Sequence, residues 1–221
     1  MKSKRIGIFG GTFNPIHNGH VKAAKEVQKV FRLEKILFIP SYITPHKEPV
    51  DIASPPQRMK MVELAVSRYP RFVPSSIEID AGGKSYTILT LTKLKKRFPD
   101  TSMFFIVGAD AFIEIDTWRD YKKLLEQCHF VVISRPGFRL KDAEECLGEE
   151  YEERIVWVQD SFRCEEGRDK GPRIFLLSIS ALDISSNEVR KKIREGKYIG
   201  DLVAKPVEKY IWQNKLYQRE K

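Results

Sequence analysis

The sequence predicts an α/β protein: a doubly wound, mainly parallel sheet with helices on both faces and a small helical part over about 184–221. Three observations carry this reading. Short apolar runs alternate along the chain with segments whose apolar residues recur every three or four positions. The runs at 36–39 and 103–107 are continuously apolar, as strands covered on both faces require. Glycines and polar loops follow the strands, which places a ligand site at their carboxyl ends.

In order, a strand is expected over 6–9, followed by a glycine turn at Gly10-Gly11. A helix over 19–31 shows Val21, Ala24, Val27, Val30 and Phe31 on one face. The strand over 36–39 stops at Pro40 and completes a βαβ unit. A proline-rich loop holding His46 and Lys47 comes next. Ser54 caps a helix that opens with Pro55-Pro56 and presents Met59, Val62, Leu64, Ala65 and Val66. The alternating residues over 72–80 read as a strand, and Gly82-Gly83 as a turn. Ser85-Tyr86-Thr87 leads into a helix reaching Phe98. The strand over 103–107 runs directly into Gly108-Ala109-Asp110. A short helix is expected over 121–127, a strand over 129–133, one charged helix over 141–154, and strands over 155–158 and 174–177. Ile184-Ser185-Ser186-Asn187 precedes a helix reaching Arg194, and a terminal helix over 206–216 ends the pattern. With 221 residues, one domain over 1–221, its C-terminal part helical, is the expected organisation.

The composition, 42% hydrophobic and 31% charged, is that of an ordinary globular chain, and no stretch approaches the roughly 18 apolar residues of a membrane span. The first apolar run is broken by glycines, so a signal peptide is not expected. Cys128, Cys146 and Cys164 form no C-x-x-C pair and no nucleophile signature, which points to reduced thiols in a cytoplasm. The net charge of +9 would attract phosphorylated ligands, and the basic clusters lack the interleaved aromatics of an RNA platform, so neither nucleic acid nor membrane is expected as a partner. The sequence permits a homo-oligomer without requiring one.

Four constellations could carry chemistry. The first is Gly10-Gly11-Thr12-Phe13-Asn14-Pro15-Ile16-His17-Asn18-Gly19-His20. It is neither a Walker A loop nor a G-x-G-x-x-G fingerprint. Its glycines still let backbone approach a phosphate, and two imidazoles at a helix start can donate to phosphate oxygens. The alternatives are a loop-capping His17 with a packed His20, or a zinc pair, for which no third ligand stands at a recognisable spacing. The second is Ser185-Ser186-Asn187 with Arg190 one helical turn on. Hydroxyl, helix N–H and guanidinium could meet a phosphate together there, or form a plain cap beside a surface arginine. The third is Asp110 after an apolar strand, suited to ribose hydroxyls, with Trp118 able to stack on a flat ring or simply to pack. The fourth is Thr87 at an anion-compatible helix start. Lys47 and Arg135 lie on loops, as phosphate partners or as solvated charges.

Taken together, G-x-F-N-P-x-H-x-G-H near the start and I-S-S-x-x-x-R near the end resemble the two signatures of the HxGH nucleotidyltransferases. The S-Y-T at 85–87 and G-A-D-A-F…T-W over 108–118 resemble the bacterial nicotinate-nucleotide adenylyltransferases. The resemblance covers about 6–194. It implies a Rossmann-like fold and a reaction in which ATP and nicotinate mononucleotide give deamido-NAD and pyrophosphate, with Mg²⁺ held mainly by the ATP phosphates. It further implies that His17 and His20 act on the ATP phosphates, and that Ser185, Ser186 and Arg190 hold the β- and γ-phosphates. Gly10, Gly11, Thr12, Phe13, Lys47, Asp110 and Arg135 would belong to the ATP site. Asn14, Thr87 and Trp118 would belong to the nicotinate mononucleotide site. Asn187 stands where the second signature usually has threonine, and the polar segment 159–173 looks like an insertion. Other acceptors, such as phosphopantetheine or choline or glycerol phosphate, and a non-catalytic nucleotide- or RNA-binding role, are the competing readings.

Overall fold

The computed structural model describes residues 4–44, 51–134, 137–159, 162, 171–180 and 182–218. Lys47, Arg135, Cys164 and most of the expected insertion lie outside them. Among the described residues no helix is long and apolar enough to cross a membrane.

The order of elements is β1 (Lys4–Gly11), α1 (Asn18–Phe31), β2 (Lys35–Pro40), α2 (Pro55–Val66), β3 (Phe72–Pro74), α3 (Ile77–Ala81), α4 (Thr87–Arg97), β4 (Thr101–Gly108), α5 (Ala109–Phe112), α6 (Tyr121–Leu125), β5 (His129–Ile133), α7 (Leu140–Glu145), β6 (Ile155–Val158), β7 (Ile174–Leu177), α8 (Ser186–Arg194) and α9 (Lys205–Gln213). The strands form one seven-stranded sheet in the order β3-β2-β1-β4-β5-β7-β6. The ladders from β1 through β4, β5 and β7 to β6 are parallel, with Phe9 opposite Ile106 and Ile106 opposite Val131. Consecutive residues of β2, β4, β5 and β7 are buried, so both faces of the sheet are covered, while the outer strands β3 and β6 are more open. The strand order reverses direction between β1 and β4, the place where open α/β sheets bind ligands.

The chain divides into two compact units. The first comprises Met1–Gly10, Ala23–Leu37 and Tyr86–Ala181. Its core includes Phe31, Phe104 and Phe175, with ring centroids 4.9 Å apart for Phe31–Phe175 and 5.3 Å for Phe31–Phe104. A Cβ at Gly7 would stand 2.9 Å from the side chains of Ile36 and Leu33, so any larger residue would force this buried packing against β1 to shift. The second unit comprises Gly11–Lys22, Phe38–Ser85 and Leu182–Lys221. Here α2 packs on α9, and Phe72 lies between Phe38 and Tyr69 with centroids 5.3 and 5.2 Å away.

Three expectations are corrected. β1 runs through Gly11 instead of turning at the glycine pair, and the left-handed residue is Phe13, at φ 48°. The alternating segment after Phe72 is a strand only to Pro74. Pro74 has no N–H with which to extend a ladder, and the Asp80 N–H instead closes a helical turn on the Ser76 carbonyl at 2.8 Å. The charged helix expected over 141–154 is two pieces, α7 and a 3₁₀ segment Glu149–Arg154, broken at Leu147-Gly148.

Candidate functional site

His17 and His20 sit where α1 begins. The His17 carbonyl accepts the first turn's N–H groups, from His20 at 3.0 Å and Val21 at 3.4 Å. In return the His17 N–H donates to His20 Nδ1 at 3.2 Å. His20 thus occupies the third helical position and reaches back to the cap residue, the geometry of a capping box with imidazole in place of glutamate. Nδ1 as acceptor carries no proton in neutral imidazole, so the remaining ring hydrogen is on Nε2. The two rings lie 3.7 Å apart at a tilt of 38°, and His17 is only 2% exposed. Gly19 makes this possible. A Cβ there would come within 3.0 Å of His17 Nδ1 and 3.1 Å of Cε1. Phe13 holds the other side of His20, edge-on at 5.2 Å.

Ahead of the histidines, Asn14 is 5% exposed and makes three side-chain hydrogen bonds. Its Nδ2 donates to the Asp51 carbonyl at 2.8 Å, and its Oδ1 accepts from the Ala53 N–H at 3.0 Å and the Tyr217 hydroxyl at 2.8 Å. The Asn14–Pro15 peptide is cis. Thr12 Oγ1 is 3.1 Å from Thr44 Oγ1, and its carbonyl accepts from Arg58.

The second signature reaches this loop through the main chain. Ser185 is the true cap of α8, accepting the Glu188 N–H at 3.1 Å. The Ser186 hydroxyl donates to the Pro15 carbonyl at 3.0 Å, and Arg190 Nη1 donates to the Asn14 carbonyl at 2.8 Å. Arg190 Nη2 donates to Asn187 Oδ1 at 2.6 Å. The asparagine in the usual threonine position therefore orients the arginine. Burial lowers the Arg190 guanidinium below its ordinary pKa, with Tyr217 and Asp51 offsetting this in part, and an anion beside it would relieve the same penalty.

The structure thus brings together Thr12, Phe13, Asn14, His17, His20, Ser185, Ser186 and Arg190 within the second unit. Gly11 opens that segment, and Gly10 ends the β1 part of the first unit, against Phe105. Asp110, Thr87 and Trp118 belong to the first unit. Asp110 lies in the first turn of α5, directly after β4. Thr87 is the first residue of α4. Trp118 is half-buried and stands edge-on to Phe105 at 6.2 Å. The thiols of Cys128 and Cys146 are pushed up by burial to about 12 and about 11, which suits neither to nucleophilic work.

Sequence reasoning missed Arg58 and Tyr217. Arg58 is 1% exposed and donates to three carbonyls, of Ala53 at 2.9 Å, Thr12 at 2.8 Å and Tyr42 at 3.0 Å. A signal for it exists: the buried stripe of α2 is Arg58, Met61, Val62, Ala65 and Val66, a regular i, i+3, i+4, i+7, i+8 pattern with arginine in an apolar place. Tyr217 has no such signal.

With this geometry in hand, the chain can be set beside known proteins. Residues 8–192 match the cytidylyltransferase-like family model. The chain is 39% identical over 96% of its length to a probable nicotinate-nucleotide adenylyltransferase of Citrifermentans bemidjiense, covering 98% of that protein. It is 42% identical to one of Desulfatibacillum aliphaticivorans, covering 96% and 99%. The chain belongs to the nicotinate-nucleotide adenylyltransferase family. The Plasmodium falciparum nicotinic acid mononucleotide adenylyltransferase complexed with NaAD superposes with a TM-score of 0.74 over 97% of both chains, at 20% identity. That likeness establishes the Rossmann-like α/β fold. In this chain the two signatures meet at the carbonyls of Asn14 and Pro15.

Proposed function

We propose that the protein transfers the adenylyl group of ATP to nicotinate mononucleotide, giving deamido-NAD and pyrophosphate. The observation that carries this is the joining of Ser186 and Arg190 to the Asn14–Pro15 carbonyls, which gathers imidazole, hydroxyl and guanidinium donors into one cluster. In the step, a phosphate oxygen of the mononucleotide attacks the α-phosphorus of ATP. The bond from that phosphorus to the bridging oxygen breaks, and pyrophosphate leaves with the electron pair. Such a transfer needs positioning and charge stabilisation more than a covalent protein nucleophile.

His20 supplies its Nε2–H to the α-phosphate, and His17, packed against it, adds a second imidazole to the same developing charge. Ser185, Ser186 and Arg190 hold the departing β- and γ-phosphates. The backbone of Gly10, Gly11, Thr12 and Phe13 lies along the ATP phosphates, with Lys47 and Arg135 as further cations. Asp110 holds ribose, and Asn14, Thr87 and Trp118 serve the nicotinate mononucleotide. The donors of the cluster suit phosphate oxygens rather than a hard cation, which fits a magnesium ion that enters on the phosphates of ATP. Bound there, it would neutralise phosphate charge. The whole chain acts as one nucleotidyltransferase, in a cytoplasm that keeps its thiols reduced.

The test is turnover of ATP with nicotinate mononucleotide and, side by side, with nicotinamide mononucleotide, read as pyrophosphate release. Turnover with the nicotinate form is expected. Turnover with phosphopantetheine and none with nicotinate mononucleotide would overturn the reading.

A further inference from the structure

The segment after α9 brings a half-buried tyrosine against the loop that carries Asn14. Lys215 and Tyr217 both adopt left-handed backbone, at φ 50° and 61°, a conformation that L side chains disfavour by about 1 kcal/mol or more each. The chain accepts this and sets the Tyr217 hydroxyl 2.8 Å from Asn14 Oδ1. Two further left-handed residues adjoin the same asparagine. Phe13 precedes it at φ 48°, and Asp51, which accepts its Nδ2–H, stands at φ 57°. Non-glycine residues held in this region cluster where a site is being aimed.

Asn14 passes that placement on. Its carbonyl is the acceptor for Arg190 Nη1, and the next carbonyl, of Pro15, is the acceptor for the Ser186 hydroxyl. Moving Asn14 therefore moves the acceptors on which the second signature hangs. Burial holds the Tyr217 phenol above its ordinary pKa, although Arg190 and Arg58 pull the other way, so the hydroxyl keeps its proton and remains a donor. Asn14 Oδ1 has two donors, and without Tyr217 it keeps only the Ala53 N–H.

We propose that Tyr217 is a positioning residue for phosphate binding, acting through Asn14 on the Arg190 fork. The proposal rests on the phosphate role of Arg190 given above. Tyr217 touches no substrate. It sets the angle at which the arginine meets the β- and γ-phosphates, and so tunes the departure of pyrophosphate from a part of the chain outside both signatures.

A double-mutant cycle tests it: wild type, Tyr217→Phe, Arg190→Ala and the pair, each measured for inorganic pyrophosphate affinity by calorimetry and for kcat and KM. Tyr217→Phe keeps the ring and its burial, and melting curves check that it folds. Pyrophosphate affinity and kcat should fall about five- to tenfold, the scale of one well-placed hydrogen bond. KM for nicotinate mononucleotide should stay within about twofold. On the Arg190→Ala background the same substitution should change pyrophosphate affinity hardly at all. Losses of equal size on both backgrounds, or a lowered melting temperature with unchanged kcat and affinity, would make Tyr217 a merely structural residue and overturn the proposal. The reading it rests on fails separately. If wild type binds pyrophosphate and releases none from ATP and nicotinate mononucleotide, the acceptor assignment is wrong, and the cycle in pyrophosphate affinity still decides Tyr217. If wild type does not bind pyrophosphate, both fall.

Discussion

The His17 N–H donates to His20 Nδ1 at 3.2 Å, so the imidazole at the third position of α1 both caps the helix and has its neutral tautomer fixed. Capping and catalysis can be separated by substitution, because the protein caps α2 in the same way with a different side chain. There the Ser54 N–H donates to Gln57 Oε1 at 3.0 Å. His20→Gln should therefore keep the cap and the melting temperature, while removing the ring Nε2–H. We expect kcat to fall by about 10²–10³, the scale of one lost transition-state donor. His20→Ala should lose the same activity and, in addition, about 1 kcal/mol of stability, as read by urea denaturation.

Gly19 offers a finer test of the same pair. An alanine methyl would press on the buried His17 ring from 3.0 Å, and the ring would have to shift by a few tenths of an ångström. Alanine also favours helix over glycine by up to about 1 kcal/mol, so Gly19→Ala should leave stability nearly unchanged. Its cost should fall on turnover, with kcat down about tenfold. Full activity in this variant would show that the exact placement of His17 is unimportant.

Arg58 binds the carbonyls of three segments: Thr12 in the loop that carries Asn14, Tyr42 after β2 and Ala53 before α2. Burial lowers its pKa and Tyr217 partly restores it, so it stays a cation committed to neutral acceptors. Arg58→Lys can serve at most part of that fan and leaves buried acceptors unpaired. We expect about 2–4 kcal/mol of lost stability by chemical denaturation, with ATP affinity weakened in parallel.

His129 predicts an acid limit. Burial, and then Arg173, Arg5 and Arg154, push its pKa down from 6.5 to about 4, and its Nδ1 accepts the Arg173 N–H at 3.1 Å. The folded state therefore holds His129 neutral where the unfolded chain already binds a proton. Its contribution is complete above pH 6.5 and is lost as pH falls from 6.5 to about 4. Over that window wild type should lose up to about 3 kcal/mol more stability than His129→Asn, whose side chain can still accept the Arg173 N–H. Parallel stability-versus-pH curves would contradict this.

Much of this arrangement is local, and local features are legible in sequence. Ser185-Ser186 before an amphipathic run reads in sequence as a cap by either serine, and in space Ser185 is the one that caps. β5, β6 and β7 have the bounds that their apolar runs indicate, because buried parallel strands depend on continuous apolarity. The segment after Phe72 misleads because alternation over I-E-I-D satisfies a strand only where a neighbour continues, and α3 buries none of its residues. Gly19 is readable as part of a motif, but its reason, the His17 ring, is not. Arg58 hides behind its residue type, since a stripe is looked for in apolar letters. Tyr217 is beyond pattern altogether: its partner lies 203 residues away, and no periodicity spans that distance.

Those separations also order the birth of the site. The bonds that close it, Ser186 to Pro15, Arg190 to Asn14 and Tyr217 to Asn14, span 171, 176 and 203 residues. Long-range closure is entropically late in folding and unavailable to a chain still being synthesised. A ribosome-bound fragment can therefore carry both histidines and the whole glycine-rich loop before any of these three bonds can form.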